Sequence, residues 1–364
     1  MAATRLGCDV IIVERSAACP AAAVATETLV GDWNDPAVLR RLAERVDLVT
    51  LENEFVNAEA LHALESGGFT VLPGAGTIAL VQDKFVQKAT LMKAGLPVVP
   101  FESVATVADL RAAAGRLGLP VVLKARRDAY DGKGNATIRS LDGAEDAWRT
   151  LGGDGGRALY AEAWCDFEME LATIITRGRN GETVAYPVVE TVQRNHVCNV
   201  VRVPARVASA VAVRVTEIAK RAAEAVGVVG SMGVECFLAR DGSVVINELA
   251  PRVHNSGHYT IEACACSQFE NHVRAVLGLP LGSPRMVAPA AVMINLLGTG
   301  PGSGRANGLD RALAVDGANV HLYGKLTSGP GRKLGHVTAL GDTVEDAEAR
   351  ATRCAAAVSF GEAR

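Results

Sequence analysis

The segment at residues 244–258, VVINELAPRVHNSGH, holds the densest group of side chains suited to chemistry. Its β-branched start predicts a strand, and the carboxamide of Asn247 and the carboxylate of Glu248 follow at once. A second carboxylate, Glu235, stands 13 residues upstream in another predicted strand, SMGVECFLA. Two carboxylates at the ends of neighbouring strands favour hard cations, and the guanidinium of Arg252 is suited to clamp an anion beside them. The pattern predicts a site for Mg²⁺ and nucleotide phosphates.

Burial makes these two acids hard to interpret as ordinary surface residues. Each stands in an otherwise apolar stretch, GVECF around Glu235 and VINEL around Glu248. A buried carboxylate that has no partner destabilises the fold by several kcal/mol. Cation ligation removes that penalty, and so does an ion pair with Arg252. We favour metal ligation, with a structural ion pair as the alternative.

The residues after Arg252 add hydrogen-bonding side chains at His254, Asn255, Ser256 and His258. The two histidines have the spacing of zinc ligands on one helix face, but the Ser-Gly pair between them favours a turn. The neighbouring acids also suit Mg²⁺ better than Zn²⁺. We therefore interpret this run as a substrate-binding segment, with a role in the core as the alternative.

A lysine followed by a glycine-rich turn forms a second candidate region. Lys124 lies in the predicted strand VVLKA, and the turn DAYDGKGN follows at 128–135. Glycines allow backbone N–H groups to approach a polyphosphate closely. The turn is not a Walker A motif, because no GK pair in the chain is followed by Ser or Thr. Taken alone, its DG pair would predict a tight hairpin turn.

Two acids form a further candidate for ligand binding. Glu162 and Glu170 stand in AEAWCDFEMEL, where an edge segment can offer backbone groups to adenine and a carboxylate to ribose. The alternative is that both are isolated acids exposed to solvent.

Near the C-terminus, four basic residues stand close to glycines: Lys325, Arg332, Lys333 and His336. Such a loop can receive a phosphate, and its alternative is a solvated basic loop.

Composition limits the class of protein. The net charge of −3 and the 4% aromatic content give no basis for nucleic-acid binding. No apolar run approaches the roughly 18 residues of a membrane span, and the first residues lack the order of a signal peptide, so we expect a cytoplasmic protein. The eight cysteines include no CxxC pair, and we expect buried free thiols.

The 364 residues divide into three predicted domains that mix α/β and α+β architecture. An α/β domain covers 1–95, an α+β domain 96–285, and a small glycine-rich domain 286–364. Predicted strands lie at 9–13, 28–30, 47–51, 70–72, 121–125, 159–164, 168–176 and 288–298. Predicted helices lie at 35–45, 57–66, 83–94, 209–226, 267–277 and 343–359.

Together, these segments resemble the ATP-grasp superfamily, and more closely the 5-(carboxyamino)imidazole ribonucleotide synthetase (PurK) family of purine biosynthesis. The resemblance runs from about residue 6 to the final predicted helix. Its motifs are QDK at 82–84, VVLKARRDAYDGKGN at 121–135, YPVVETVQ at 186–193, INELAPRVHNSGHYT at 246–260 and YGK…PGRKLGHV at 323–337. INELAPRVHNSGH is close to diagnostic of the family, whereas YDGKG indicates only the superfamily.

The resemblance implies an ATP-grasp fold with a Rossmann-like N-terminal domain and a small β-rich C-terminal domain. It implies that ATP, bicarbonate and aminoimidazole ribonucleotide give the carbamate, ADP and phosphate. Bicarbonate attacks the γ-phosphorus to form carboxyphosphate, and the amine takes the carboxyl group directly or from released CO₂. The implied cofactors are ATP and two Mg²⁺ ions, which Mn²⁺ can replace, and the implied assembly is a homodimer.

The resemblance also implies residue roles. For ATP it implies these residues: Lys84, Lys124, Tyr130, Asp131, Gly132, Lys133, Gly134, Asn135, Glu162, Ala163, Trp164, Cys165, Glu170, Gln193, Asn247 and Glu248. For the metal ions it implies Glu235 and Glu248. For the ribonucleotide it implies Glu52, Tyr130, His254, Asn255, Ser256, Lys325 and Arg332. Arg252 is expected to hold bicarbonate and carboxyphosphate, and we predict catalytic roles for Arg252, Tyr130 and Lys325.

Two departures from the family pattern affect these expectations. Family members begin with a strand and a glycine-rich loop resembling GGGQLGRM, whereas MAATRLGCDV resembles the helix that follows that loop. Gly329 stands where the family usually has Arg before PGRK. We expect weaker binding of the ribonucleotide phosphate. Two alternatives therefore remain, an ATP-grasp ligase that uses a small carboxylate such as formate, and an inactive nucleotide-binding remnant.

Overall fold

A nine-stranded sheet is the largest element of the structure and crosses position 286 of the chain. The computed structural model describes residues 1–129, 134–195 and 197–361. Within these ranges the strands form this sheet, a four-stranded sheet and two strand pairs. The predicted ATP-loop residues Tyr130, Asp131, Gly132 and Lys133 lie outside the described ranges.

The N-terminal region is built on one parallel pair of strands. Its elements are α1 (Ala2–Arg5), β1 (Ile11–Glu14), β2 (Glu27–Val30), α2 (Pro36–Ala43), α3 (Ala58–Ser66) and α4 (Ala75–Gln82). β1 pairs with β2. Asp35 caps α2 by accepting a hydrogen bond from the Ala37 backbone N–H, and Pro36 is the first helical residue, as predicted. Both predicted strand starts lie within two residues of β1 and β2.

Two features of this region differ from expectation. The predicted strands at 47–51 and 70–72 are reduced to a single parallel bridge between Val49 and Val71. Helix α4 was not predicted from the sequence. Its segment, AGTIALVQ, is apolar almost all round and therefore has none of the apolar periodicity by which a surface helix is recognised.

The central region supplies most of the strands. Its elements are α5 (Lys84–Lys93), β3 (Phe101–Val104), α6 (Val107–Leu117), β4 (Val121–Ala125), β5 (Asn135–Ile138), α7 (Ala144–Thr150), β6 (Leu159–Ala163), β7 (Phe167–Arg177), β8 (Thr183–Ala185), β9 (Val189–Arg194), β10 (Val197–Val203), α8 (Ser209–Ala225), β11 (Gly230–Ala239), β12 (Val244–Ala250), α9 (Thr260–Ala263) and α10 (Gln268–Leu277). The four-stranded sheet has the order β3-β6-β4-β5. It is one of two sheets that face the candidate site.

The C-terminal region extends the larger of these sheets. Its elements are β13 (Ala290–Leu297), β14 (Gly302–Ser303), α11 (Leu309–Leu313), β15 (Ala318–Leu322), β16 (Thr327–Ser328), β17 (Lys333–Gly341) and α12 (Val344–Ala357). The nine-stranded sheet has the order β12-β11-β7-β9-β10-β13-β17-β15, with β8 paired to β7. Its strands from the central and C-terminal regions meet at the antiparallel β10–β13 pair.

Helix α8 covers the end of the large sheet that carries β11 and β12. Its buried residues recur at helical spacing along one face: Val215, Ile218, Ala219, Ala222 and Ala223. They share one core cluster with Met232 and Val234 of β11 and Ile246 of β12. This packing fixes the two acid-bearing strands from behind, so their outward side chains are held on a rigid support.

The structure shows the state of the cysteines and the character of the helices. All eight cysteines are free. Four are buried and four are half-buried, so the expectation of buried thiols is right only for Cys236, Cys264, Cys266 and Cys354. Among the helices of the described ranges, none combines the length and the apolar character needed to cross a membrane.

His272 of α10 connects the large sheet to the N-terminal region. Its Nδ1 accepts the Ser231 backbone N–H at 3.1 Å, which leaves Nε2 to donate to Thr50 Oγ1 at 2.8 Å. Burial lowers the pKa of His272 to about 4, because the charged imidazole is poorly solvated there. This histidine therefore stays neutral in the folded protein while it protonates in the unfolded chain near its ordinary pKa.

We predict that His272→Gln makes the stability of the protein less sensitive to acid. Since the folded pKa lies below the unfolded one, the contribution of His272 is fully present above the unfolded pKa and is lost as the pH falls towards the folded pKa. The wild-type chain should lose about 2 kcal/mol more stability than the variant between pH 7 and pH 5, measured by urea unfolding. His62→Gln, which changes an exposed histidine, is the control. Equal pH slopes for wild type and His272→Gln would show that His272 does not titrate on unfolding.

Candidate functional site

A β-bulge in the β11–β12 ladder places two carboxylates side by side. Glu235 is paired with Glu248, whereas the next residue, Cys236, is paired with Ile246, so Asn247 is the extra residue of the bulge. Burial, followed by the negative charges of Glu248 and then Glu170, raises the pKa of Glu235 to about 7. The predicted proximity of Glu235 and Glu248 is therefore seen in the structure.

The donor chemistry of this pair fits a magnesium nucleotide. Mg²⁺ commonly takes one or two protein carboxylates and completes its shell with phosphate and water oxygens. Two adjacent carboxylates that repel each other gain from a shared cation. Across the described ranges, no group of three or more His, Cys, Asp or Glu side chains has the arrangement to hold a metal ion. The two carboxylates alone would leave most of a Mg²⁺ shell to phosphate and water oxygens.

Lys84 meets this pair from the start of helix α5. Its Nζ donates to Glu248 Oε1, and its side chain is 17% exposed. Asp83 caps the same helix by accepting the backbone N–H groups of Phe85 and Val86 and also pairs with Arg126, at 2.7 Å from Arg126 Nη2 to Asp83 Oδ2. Capping and ion pairing fix the helix start, and with it the base of the Lys84 side chain.

Glu162 of β6 is a buried carboxylate between two lysines. Lys124 Nζ of β4 donates to its Oε1, and Lys88 Nζ of α5 lies 2.7 Å from its Oε2. Burial alone would raise the pKa of Glu162, but Lys124 and Lys88 outweigh it and hold the pKa below its ordinary value. The solvated position expected of an isolated acid is therefore wrong for Glu162, which is 3% exposed. The role of Lys88 was not predicted, although it stands one helical turn after Lys84.

Arg252 is held by an acid that the sequence reasoning did not select. Its Nε donates to Glu54 Oε2, and its Nη2 donates to Glu54 Oε1 at 3.1 Å. The alternative in which Arg252 pairs with Glu235 or Glu248 is not found among the described residues, because Arg252 forms its ion pair with Glu54 and Glu248 forms its own with Lys84. Burial raises the pKa of Glu52 above its ordinary value, and the attraction of Arg252 opposes this shift without cancelling it. Glu54 stands two residues after Glu52 in a segment that is not a strand, so strand alternation gave no signal for it.

A cavity of about 480 Å³ lies beside Lys84, Glu248 and Glu54. Its walls include Glu54, Gln82, Lys84, Arg127 and Glu248. The Nε2 of Gln82 donates to the Glu54 backbone carbonyl at 2.6 Å and so holds the N-terminal loop against the QDK motif. The space beside Lys84 and Glu248 is therefore continuous with the space beside Glu54.

The HNSGH run forms the tight turn that its Ser-Gly pair predicted. A 3₁₀ turn covers Asn255–Gly257, and His254 Nδ1 lies 2.9 Å from Ser256 Oγ. Burial, followed by the charge of Arg252, lowers the pKa of His254 well below its ordinary value. Burial and then Lys333 lower the pKa of His258 to about 3. Both imidazoles are neutral at physiological pH.

Gln268 and Asn295 hold this turn, and neither was predicted. Gln268 Oε1 accepts the His254 backbone N–H at 2.9 Å, and its Nε2 donates to the His254 carbonyl at 2.7 Å. Asn255 and Asn295 exchange hydrogen bonds of 3.0 and 2.7 Å. Gln268 lies 14 residues from His254 and Asn295 lies 40 residues from Asn255, so no local pattern revealed them.

Lys325 and Arg332 of the predicted basic loop bond groups within that loop, whereas His336 is buried in the adjoining strand. Lys325 Nζ donates to the Lys333 carbonyl at 2.9 Å, and burial, then the charge of Arg332, lowers the pKa of Lys325. Arg332 Nη1 donates to Thr327 Oγ1 at 2.5 Å. Grouping His336 with this loop was wrong, because His336 is buried in β17 and its Nδ1 bonds the Tyr323 hydroxyl at 2.9 Å.

The remaining predicted residues lie along the two sheets. Ala163 ends β6 and its N–H donates to the Pro100 carbonyl at 2.9 Å, while Trp164 and Cys165 follow at the strand end. Glu170 pairs with Phe237 across β7 and β11, and Gln193 pairs with Cys198 across β9 and β10. Asn135 begins β5 opposite Lys124, with Gly134 directly before it. These positions are known, whereas their ligand contacts stay predictions.

Profiles of three protein families match this chain in succession. Residues 1–82 match the ribonucleotide synthetase pre-ATP-grasp domain, and residues 89–269 match the ATP-grasp domain. Residues 291–350 match the phosphoribosylaminoimidazole carboxylase C-terminal domain. The order agrees with the resemblance drawn from the motifs.

Relatives match over most of the chain. N5-carboxyaminoimidazole ribonucleotide synthase of Synechococcus elongatus is 40% identical over 338 residues, which cover 93% of this chain and 85% of the relative. Phosphoribosylaminoimidazole carboxylase of Ogataea methanolica is 38% identical over 96% of this chain. The chain spans 65% of that carboxylase and 62% of the one from Vigna aconitifolia.

The fold matches solved structures as well. The crystal structure of N5-carboxyaminoimidazole synthase from Aspergillus clavatus, in complex with ADP and 5-aminoimidazole ribonucleotide, has a TM-score of 0.87. It is 35% identical, and the match covers 96% of this chain and 92% of that one. The expected ATP-grasp fold with its N-terminal and C-terminal domains is confirmed.

We predict that Gly233→Ala displaces the His254 side chain. The added Cβ would lie 2.6 Å from His254 Cγ, which is closer than van der Waals contact permits. Such overpacking should lower the free energy of unfolding by about 1–3 kcal/mol, measured by urea denaturation, and a crystal structure should show the moved ring. Gly76→Ala is the matched control, because an added Cβ meets nothing within 4 Å there. An unmoved ring in the Gly233→Ala protein would contradict this packing.

Proposed function

The chain belongs to the N5-carboxyaminoimidazole ribonucleotide synthase family, and we propose that it carboxylates 5-aminoimidazole ribonucleotide with ATP and bicarbonate in purine biosynthesis. The products are N5-carboxyaminoimidazole ribonucleotide, ADP and phosphate. The observation that carries this proposal is one continuous cavity, whose walls include Lys84, Glu248 and Glu54, the acid that pairs with Arg252. The proposed cation site therefore shares one space with the acid that holds the Arg252 guanidinium.

The ATP half of the proposed site lies between the two sheets. Lys84 and Lys124 would bind phosphate oxygens, while Glu235 and Glu248 would hold Mg²⁺, with Mn²⁺ as a substitute and Asn247 assisting. The metal ions, when bound, neutralise charge on the phosphates during transfer. The segment Glu162–Cys165 would line the adenine pocket through its backbone, with Glu170 at the ribose and Gln193 nearby. ADP in the A. clavatus relative supports a nucleotide in this fold.

Arg252 would hold bicarbonate for the first step. A bicarbonate oxygen attacks the γ-phosphorus, the bond from that phosphorus to the bridging oxygen breaks, and ADP leaves, so carboxyphosphate forms. A guanidinium can give two parallel hydrogen bonds to a planar anion, as Arg252 does to Glu54 in this structure. Bicarbonate would compete with Glu54 for these donors, which makes Glu54 a stand-in for the anion.

The ribonucleotide would supply the amine for the second step. Its nitrogen attacks the carboxyl carbon, the carbon–oxygen bond to phosphate breaks, and the amine loses a proton. Seven residues would bind the ribonucleotide: Glu52, Tyr130, His254, Asn255, Ser256, Lys325 and Arg332. The A. clavatus relative contains 5-aminoimidazole ribonucleotide, which supports this acceptor. The homodimer and the cytoplasmic location rest on the resemblance and the sequence, and they stay predictions.

Product formation in a defined mixture tests the reaction. The purified chain, supplied with ATP, Mg²⁺, bicarbonate and 5-aminoimidazole ribonucleotide, should release ADP only when all are present. ADP release that is indifferent to the ribonucleotide would overturn the acceptor assignment. Turnover with formate and none with bicarbonate would favour a different ATP-grasp ligase, and ATP binding without any turnover would identify a nucleotide-binding remnant.

We predict that Glu248→Gln lowers the rate of ATP turnover by about 10²–10³ while the protein folds normally. The amide keeps the shape of the side chain but removes the charge that the cation and Lys84 require. Steady-state ADP release and thermal melting measure the two effects. Glu224→Gln, at an exposed position of α8, should leave both unchanged. Full activity of Glu248→Gln would exclude its role as a metal ligand.

We predict that Arg252→Lys lowers kcat/KM for bicarbonate by about 10²-fold or more, since an ammonium cannot form the bidentate pair. The dissociation constant for Mg·ATP should not change, because Arg252 serves the anion beside the nucleotide. Bicarbonate titrations and calorimetry give the two values. Arg353→Lys, on the exposed side of α12, is the control. An equal loss of ATP affinity would place Arg252 in the nucleotide site instead.

A further inference from the structure

Two ion pairs link three charged side chains in a line, and one of the three is a proposed phosphate ligand. Lys88 of α5 and Glu162 of β6 are 2% and 3% exposed, and Lys124 of β4 completes the line. Each oxygen of Glu162 has its own lysine, Oε1 with Lys124 and Oε2 with Lys88. The Lys124 side chain is 14% exposed, whereas that of Lys88 is 3% exposed, so Lys124 is the lysine that a ligand can approach.

Stability alone gives a weak reason for this arrangement. Burial lowers the pKa of Lys88 against the attraction of Glu162, so desolvation opposes the ammonium at that position. Replacing a whole buried ion pair or triad by apolar residues of similar volume is often neutral or stabilising. One counter-ion would also be enough for a single carboxylate. The second lysine therefore calls for a role beyond packing.

We propose that Lys88 is a positioning residue that frees Lys124 for the phosphates of ATP. The inference rests on the proposed role of Lys124 in nucleotide binding. When Lys124 turns its ammonium towards a phosphate, Glu162 keeps Lys88 as its counter-ion, and no buried charge is left alone. Without Lys88, the same movement would leave the Glu162 carboxylate buried and unpaired, which is a large penalty. ATP would then have to compete with Glu162 for Lys124.

The charge balance leads to the same conclusion. The line of Lys88, Glu162 and Lys124 carries one net positive charge, which attracts a polyphosphate. Removal of Lys88 leaves Lys124 and Glu162 as a neutral pair. Lys88 thus acts on ATP through Glu162, without contact with the nucleotide.

Calorimetric binding of Mg·ATP to Lys88→Met tests the proposal. The dissociation constant should rise about tenfold or more, and in steady state KM for ATP should rise more than kcat falls. Adenosine, which lacks phosphates, should bind to the variant and the wild type equally. Lys93→Met, at an exposed position of the same helix, is the matched control and should bind ATP as the wild type does. Unchanged ATP affinity, or an equal loss of ATP and adenosine affinity, would overturn the proposal.

A second variant tests the proposed role of Lys88 if the Lys88→Met protein does not fold. Lys88→Met combined with Glu162→Gln removes both buried charges and keeps the backbone of residue 162, which is its proposed contact with adenine. No carboxylate then competes for Lys124, and ATP affinity should return to within about threefold of wild type. A double variant that binds ATP tenfold or more weakly would overturn the proposal. These measurements need no carboxylation. A wild-type chain that binds ATP without forming product would therefore contradict the proposed function alone.

Discussion

The β-bulge at Asn247 is the constraint on which the rest of the site depends. Side chains alternate between the two faces of a strand, so a one-residue change in register decides which of them point the same way. Continuous pairing from Cys236–Ile246 would set Glu235 opposite Asn247. The extra residue brings Glu248 opposite Glu235 instead, and both carboxylates then serve one space. Lys84 then bonds the Glu248 carboxylate at this position.

The charges of the site connect parts of the chain that are distant in sequence. Lys84 and Glu248 join α5 to β12, and Arg252 joins the same region to Glu54 of the N-terminal region. In the smaller sheet, Glu162 joins β6 to α5 and β4 through Lys88 and Lys124. A buried ion pair adds little net stability, yet breaking one is costly. The pairs therefore specify how the sheets and the N-terminal region meet, and the meeting point is the proposed active site.

The predictable part of the structure is the part that local patterns determine. The strand at 121–125 is found unchanged, and the helix predicted at 209–226 ends one residue earlier. The closeness of Glu235 and Glu248 followed from two apolar strands that each carry one acid. Helix α4 was missed because it has no polar face, and the Arg252–Glu54 pair because its partners are 198 residues apart. His336 was wrongly grouped with the basic loop, because its burial in β17 depends on tertiary packing that the local sequence does not reveal.

In the acceptor half of the proposed site, neutral side chains supply hydrogen bonds and other side chains supply the positive charge. Burial keeps His254 and His258 neutral, so these imidazoles can bond a ligand without adding charge that varies with pH. The positive charge comes from Arg252, Lys325 and Arg332, and a guanidinium does not lose its proton in proteins. Bicarbonate and a ribonucleotide are both anions. Arg252 would hold them with a charge that does not vary with pH, while the neutral histidines fix their orientation.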